Sequence, residues 1–250
     1  MYSTEGIVIK EENYGEADRF FTIFTKDFGK IRVMAKGIRK IKAKLRSGLQ
    51  FFNHIYLEFV RGKYFYTAIE AINIDNFQNL KKEPEKLKIL FHISNILNKL
   101  LKEGRDERIW DLLLKILNKM KEQRFSGARL DLLLRYFEWN LLDILGYHPE
   151  LHHCVVCFAP LDSKYLMGQE KLKEERLYFS AKEGGILCFR CRDKNKEAKQ
   201  IDIDTIKILR LILGRKKEIL EKLKTGNERK LKEISRHYLE YILEEKINLL

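Results

Sequence analysis

The chain reads as an α+β protein: a small closed β-barrel of five strands at its N-terminal end, then an α-helical domain with a four-cysteine module embedded in it. Three observations carry that reading. Residues 2–74 are rich in Ile, Val, Phe, Tyr and Thr, in short alternating runs split by Gly6, Gly15, Gly29, Gly37, Gly48 and Gly62. After Pro84 the apolar period lengthens from two to about 3.6. Residues 151–192 then break the helical pattern and hold all four cysteines of the chain. The domains expected from these changes are 1–80, 81–150, 151–192 and 193–250.

Taken in order, the strands are expected at Ser3 to Lys10, Asp18 to Thr25, Lys30 to Lys36, Gln50 to Val60 and Tyr64 to Ile74. Five short strands in so little chain suit a barrel, because closure removes exposed sheet edges. Leu87, Leu90, Phe91, Leu97 and Leu101 share one face of a first helix that stops by Gly104. Asp106 is placed to cap a second, with Ile109, Leu112, Leu113, Ile116 and Met120 along its apolar stripe. Ser126 is placed to cap a third, carrying Leu130, Leu133, Leu134, Phe137, Leu141 and Leu145 and ending at Gly146. Beyond the cysteines, Ile206, Leu209 and Leu213 mark a helix ending near Gly214, and Leu231, Ile234, Tyr238, Tyr241 and Ile242 a final one. The lysines from Arg215 to Lys232 alternate with glutamate, which reads as a solvated helix face.

With 45% hydrophobic and 34% charged residues, the composition excludes intrinsic disorder over most of the length. No uncharged apolar run approaches the ~20 residues that span a bilayer, and Met1 to Glu12 lacks the features of a secretory leader, so a soluble, cytoplasmic protein is expected. A net charge of +13 selects for polyanionic partners.

Cys154-Val-Val-Cys157 and Cys188-Phe-Arg-Cys191 are two Cys-x-x-Cys pairs. Each pair presents two sulfurs from one tight knuckle, and two knuckles together supply the tetrahedral thiolate set that Zn²⁺ accepts. Thirty residues separate them, more than a zinc ribbon usually has, so an inserted hairpin or loop over Lys164 to Gly185 is implied. Four cysteines close the shell, leaving no position for a reacting water, and one structural Zn²⁺ is expected. Disulfides would need an oxidising compartment, and a redox pair would need only one such motif. His152 and His153, beside the first knuckle, are read as neighbours of the site rather than ligands.

Lys30, Arg32, Lys36, Arg39, Lys40, Lys42, Lys44 and Arg46 place eight cations in seventeen residues with no acid among them, whereas residues 1–29 hold six acids and three bases. By alternation Ile31, Val33 and Ala35 fill the barrel, while Lys30, Arg32, Met34 and Lys36 face outward. Tyr56 is expected outside on the fourth strand, with Tyr64 and Tyr66 sharing one face of the fifth, so that cations and rings meet on one surface. Cations that track phosphates beside rings that stack on bases are the means by which single-stranded nucleic acid is held. A membrane surface fits less well, because the basic stretch lacks an apolar Trp, Phe and Leu face.

No phosphate-binding glycine loop, His-Glu-x-x-His zinc motif or Gly-x-Ser-x-Gly elbow occurs, and His54, His92, His148 and His237 stand singly. The parts of common hydrolases are missing, and no catalytic residue is assigned. The competing reading is a nucleic-acid-processing or RNA-modifying enzyme with a structural zinc; a pure protein-interaction scaffold is a third.

Several strings, in order and spacing, resemble the RecO family of bacterial recombination mediators. They are Thr4-Glu5-Gly6-Ile7-Val8-Ile9 and Tyr14-Gly15-Glu16-Ala17-Asp18, then Ala35-Lys36-Gly37-Ile38-Arg39-Lys40 and Leu45-Arg46-Ser47-Gly48-Leu49-Gln50-Phe51-Phe52, and last Gly184-Gly185-Ile186-Leu187-Cys188-Phe189-Arg190-Cys191. Phe51 departs from the pattern, standing where many relatives have proline. The resemblance implies an oligonucleotide/oligosaccharide-binding (OB) barrel that holds single-stranded DNA, a helical domain and a zinc module. It further implies strand annealing without ATP, contact with single-stranded-DNA-binding protein and with RecR, help for RecA loading on coated DNA, and a nucleoid-associated location. Some relatives lack the cysteines, which fits a metal with a structural role.

Overall fold

In a computed structural model of the chain, residues 1–122, 125–161, 176–214 and 228–246 are described. They form two compact units, residues 1–121 and 122–249.

The first unit is built on a closed barrel of β1 (Tyr2–Tyr14), β2 (Asp18–Thr25), β3 (Gly29–Ala35), β4 (His54–Arg61) and β5 (Tyr66–Asp75), in the spatial order β1-β2-β3-β5-β4. This is the OB arrangement. Neighbouring pairs are antiparallel except β3 and β5, which meet in parallel through Val33 with Tyr66 and Met34 with Thr67. Alternating residues Phe21, Ile23, Ile31, Val33, Ile55, Leu57 and Phe59 fill the interior. β1 runs four residues past its expected end because its register with β2 shifts between Val8 and Lys10, which lets Lys10–Tyr14 keep pairing.

Three helices complete this unit: α1 (Gln78–Lys82), α2 (Pro84–Leu100) and α3 (Glu107–Lys121). α2 buries Leu90, Ile93, Ile96 and Leu97, so the helix is rotated from the expected face and Phe91 is 53% exposed. The string His92-Ile93-Ser94-Asn95-Ile96-Leu97 admits more than one apolar stripe, and the barrel selects the one in which the Ser94 hydroxyl donates to the Ile9 carbonyl. On α3 the expected stripe is buried, Trp110 reaches Phe24 of β2 at 5.7 Å, and the Asp106 carboxylate accepts from the Arg108 N–H at 3.0 Å.

Two outward assignments on the barrel change. Met34 is buried, because the outer face at this point carries Phe20, its partner in register, beneath Tyr14 and Phe65 at 5.0 and 4.9 Å. Tyr64 and Tyr66 do not share a strand face. β5 begins at Tyr66, whose ring turns in toward Phe59 at 5.2 Å, while Tyr64 precedes the strand.

In the second unit α4 (Gly127–Ile144) packs with α5 (Ile203–Leu213) and α6 (Glu228–Leu243). Trp139 is central: its indole N–H donates to the Ser235 hydroxyl at 2.8 Å and its ring stacks on Tyr238 at 5.2 Å. The Ser126 side chain makes no cap hydrogen bond to α4, whereas the Asp202 carboxylate caps α5 by accepting from the Thr205 N–H at 2.7 Å. Tyr241 lies on the exposed side of α6. A small sheet, ordered β7 (Gly185–Leu187), β6 (Leu177–Ser180) and β8 (Lys199–Ile201), stands beside the cysteines. The insertion expected over residues 164–185 and the lysine-rich stretch over 215–232 fall partly outside the described residues, at 162–175 and 215–227.

Candidate functional site

The first cysteine knuckle closes where the Phe158 N–H donates to the Cys154 carbonyl at 2.9 Å, with Phe158 in the left-handed region at φ 59°. Strand β7 delivers the second. The Val155 N–H donates to the Ile186 carbonyl and the Ile186 N–H to the Glu150 carbonyl, both at 2.9 Å, which fixes one knuckle against the other. Gly185 is required at this approach, since a Cβ there would lie 2.4 Å from the Glu150 carbonyl oxygen. A short 3-10 turn over Phe189–Lys194 follows, closed by the Cys191 N–H on the Cys188 carbonyl at 3.0 Å.

The four sulfurs lie within 4.8 Å of one another, and the Sγ atoms of Cys157 and Cys188 are 3.8 Å apart. A tetrahedral site with metal–sulfur bonds of about 2.3 Å separates its sulfurs by about 3.8 Å, so the set fits such an ion. Burial opposes ionisation of Cys154, yet N–H groups of Cys157, Cys188 and Val156 outweigh it and hold the thiol down at about 6. Burial and the neighbouring sulfurs push Cys191 up to about 12. Protein groups alone thus favour a thiolate at one position and oppose it at another, and a cation held here would supply the charge that four thiolates need. His152 and His153 lie outside this cluster; their backbone N–H groups donate to the Glu150 carboxylate at 2.6 and 3.0 Å.

The cationic segment joins β3 to β4. Ile38 and Leu49 are buried in the barrel core and Leu45 packs partly against it, so the loop is pinned by apolar residues while Lys36, Arg39, Lys40, Lys42, Lys44 and Arg46 point to solvent. Among the described residues no acidic side chain pairs with any of these six. Arg39 donates to the Gly15 carbonyl at 3.3 Å. Arg32 is held over the Phe20 ring at 4.1 Å and reaches Glu12 at 3.5 Å. Lys30 is half-buried and its ammonium donates to the Asn98 carbonyl, and burial lowers its pKa.

Arg39 and Arg46 line one surface depression with Arg19 and Phe51; Lys30 and Arg32 line a second with Lys10. None of the three tyrosines lines either one. Tyr56 bonds Glu58 at 3.4 Å and stands in register with Ile72 of β5, and Tyr64 is exposed beside Lys63. Instead, a different pair of rings lies between the two groups of cations: Phe51 and Phe91, stacked at 4.4 Å with 18° between their planes. By sequence pattern Phe91 belongs to the core stripe and Phe51 to a strand entry; the one signal pointing to the pair is the aromatic residue in the place of proline.

Comparison with known proteins accounts for both units. Residues 1–77 match the family model described as Recombination protein O N terminal, and residues 81–250 match Recombination protein O C terminal. A protein of Alkaliphilus metalliredigens named DNA repair protein RecO is 31% identical over 227 residues, covering 90% of this chain and 86% of its own. The protein of the same name from Acetivibrio thermocellus is 34% identical over 216 residues, 85% of this chain and 79% of its own. That from Roseiflexus sp. is 30% identical over 247 residues, 98% and 82% respectively. With a five-stranded OB barrel, a four-cysteine cluster and matches of this extent, the chain belongs to the recombination protein O family.

Proposed function

We propose that this chain is a non-catalytic mediator of DNA repair and homologous recombination that grips single-stranded DNA on the outside of its barrel. The observation that carries this reading is the solvent-facing run from Lys36 to Arg46, unpaired with acids among the described residues and anchored in the barrel by Ile38, Leu45 and Leu49. The name DNA repair protein RecO carried by its relatives supports it. Two strands approaching one another repel through their phosphates. A cationic surface that neutralises both lowers that barrier with no covalent step and no nucleotide hydrolysis, so annealing proceeds without ATP. In this reading one Zn²⁺ sits on Cys154, Cys157, Cys188 and Cys191 and stabilises their fold. RecR and single-stranded-DNA-binding protein are direct partners, RecA an indirect one, and the protein works in the cytoplasm at the nucleoid.

The test is the salt dependence of oligonucleotide binding. If about six of the cations meet phosphates, log K against log salt falls with a slope near about −4, at about −0.7 per phosphate. Replacing Arg39, Lys40, Lys42 and Lys44 together with alanine flattens that slope by about two to three units. An unchanged slope moves the DNA site away from this loop.

A further inference from the structure

Three depressions on the first unit are continuous. The one beside Arg39 and Arg46 shares Glu11 and Phe51 with a middle one, which also takes in Phe91, Ser94 and Asn95. The middle one in turn shares Lys10 and Asn98 with that of Lys30 and Arg32. The trough therefore runs from cations, across a ring pair, to cations again. Three acids line it: Glu11 pairs with Arg19 at 3.2 Å, Glu12 pairs with Lys10 at 3.0 Å, and Glu103 stands at the end of Lys30 and Arg32.

The ring pair is fixed from behind. Phe52 is fully buried with φ at 57°, its N–H donates to the Val8 carbonyl at 2.7 Å, and its ring meets Phe51 edge-on at 5.4 Å. That left-handed residue turns Phe51 away from the core and onto Phe91 of α2. Phe51 supports one face of Phe91, and Phe91 stays 53% exposed although Leu90, Ile93, Ile96 and Leu97 of the same helix are buried. An occupant that is anionic at both ends and flat and aromatic between them matches this order of groups; a strand with one base turned inward is such an occupant.

We propose that Phe91, backed by Phe51, is the base-stacking platform of the barrel, with one unpaired base on its exposed face and the flanking phosphates held by Arg39 and Arg46 on one side and Lys10 and Arg32 on the other. This rests on the reading of the barrel as a DNA-binding surface and adds to it the residues that touch a base. The three tyrosines named from the sequence have no part in it.

The full chain offers a direct test, because Trp110 and Trp139 are 2% and 0% exposed and so report little of the surface. In an F91W variant, titration with oligo(dT) at low salt quenches the emission of the introduced indole as labelled strand binds by anisotropy. An abasic strand of equal length binds by its phosphates and leaves that emission unmoved. F91A and F91L both weaken oligo(dT) by about 5- to 150-fold, the equivalent of about 1–3 kcal/mol of stacking per base, with the salt slope unchanged. Binding with a silent indole, equal quenching by the abasic strand, or an F91L variant that binds like the parent overturns the platform and leaves the cationic reading standing. Absence of any strand binding overturns that reading, and the platform with it.

Discussion

A single buried carboxamide ties the cationic loop to the barrel. Asn53 is 1% exposed; its Nδ2 donates to the carbonyls of Ser47 and Gly48 at 3.2 and 2.9 Å and to Asn73 Oδ1 at 2.8 Å, while its Oδ1 accepts from the Lys81 ammonium at 2.7 Å. Burial pulls the Lys81 pKa down to about 8 from an ordinary 10.5, against the opposing pull of Asp75. Between those two values the unfolded chain holds a proton at this lysine that the folded chain has released, so rising pH favours the folded state there; below about 8 both states are protonated and the dependence vanishes. The stability of the natural chain relative to a K81M variant should therefore grow as pH climbs from about 8 toward 10.5, read from paired urea titrations. A constant difference across that range contradicts the burial of this ammonium.

At the scale of elements, the loop from β3 to β4 works because its 3-10 turn, Lys44–Arg46, can lie flat on β5. Gly48 permits this, since a Cβ there would stand 2.2 Å from the Ala71 carbonyl oxygen. A G48A variant should lower the urea midpoint at unchanged slope and weaken oligonucleotide binding, because the turn bearing Lys44 and Arg46 is pushed off the barrel. Full retention of both properties would refute that anchoring. Which elements could be read in advance follows from where their information lies. β2 is placed correctly from Asp18 to Thr25 because its run of Phe, Ile and Thr between Gly15 and Gly29 carries strand preference within itself, and the cysteine cluster because spacing alone defines two knuckles. Phe91, Met34 and Tyr66 lie elsewhere than local pattern places them because each is positioned by something distant in sequence: the barrel sets the phase of α2, Phe20 and its aromatic cover shield Met34, and pairing with the buried Val33 of β3 turns Tyr66 inward. The ring pair of Phe51 and Phe91 spans forty positions, and local periodicity carries no trace of it.

For the molecule as a whole, the charged loop and the cysteines belong to different units, residues 1–121 and 122–249, so they can be perturbed separately. Among the described residues no helix is long and apolar enough to cross a membrane. Elemental analysis of the purified chain should find one zinc per molecule. Stripping it with a chelator, or replacing Cys154 and Cys157 with serine, should lower the thermal midpoint, because the free energy of binding is then lost from the folded state. The salt slope of oligonucleotide binding should stay as it was. A slope that flattens on metal removal would mean that the cluster supports the DNA surface itself.

The parallel contact of β3 with β5 has a kinetic meaning. It joins segments about thirty residues apart through only two pairs, Val33 with Tyr66 and Met34 with Thr67, while every other seam of the barrel is a long antiparallel ladder. So short a zipper has little to resist its parting. The cylinder therefore breathes there first, splitting open like a cuff at its clasp while its four longer hems hold.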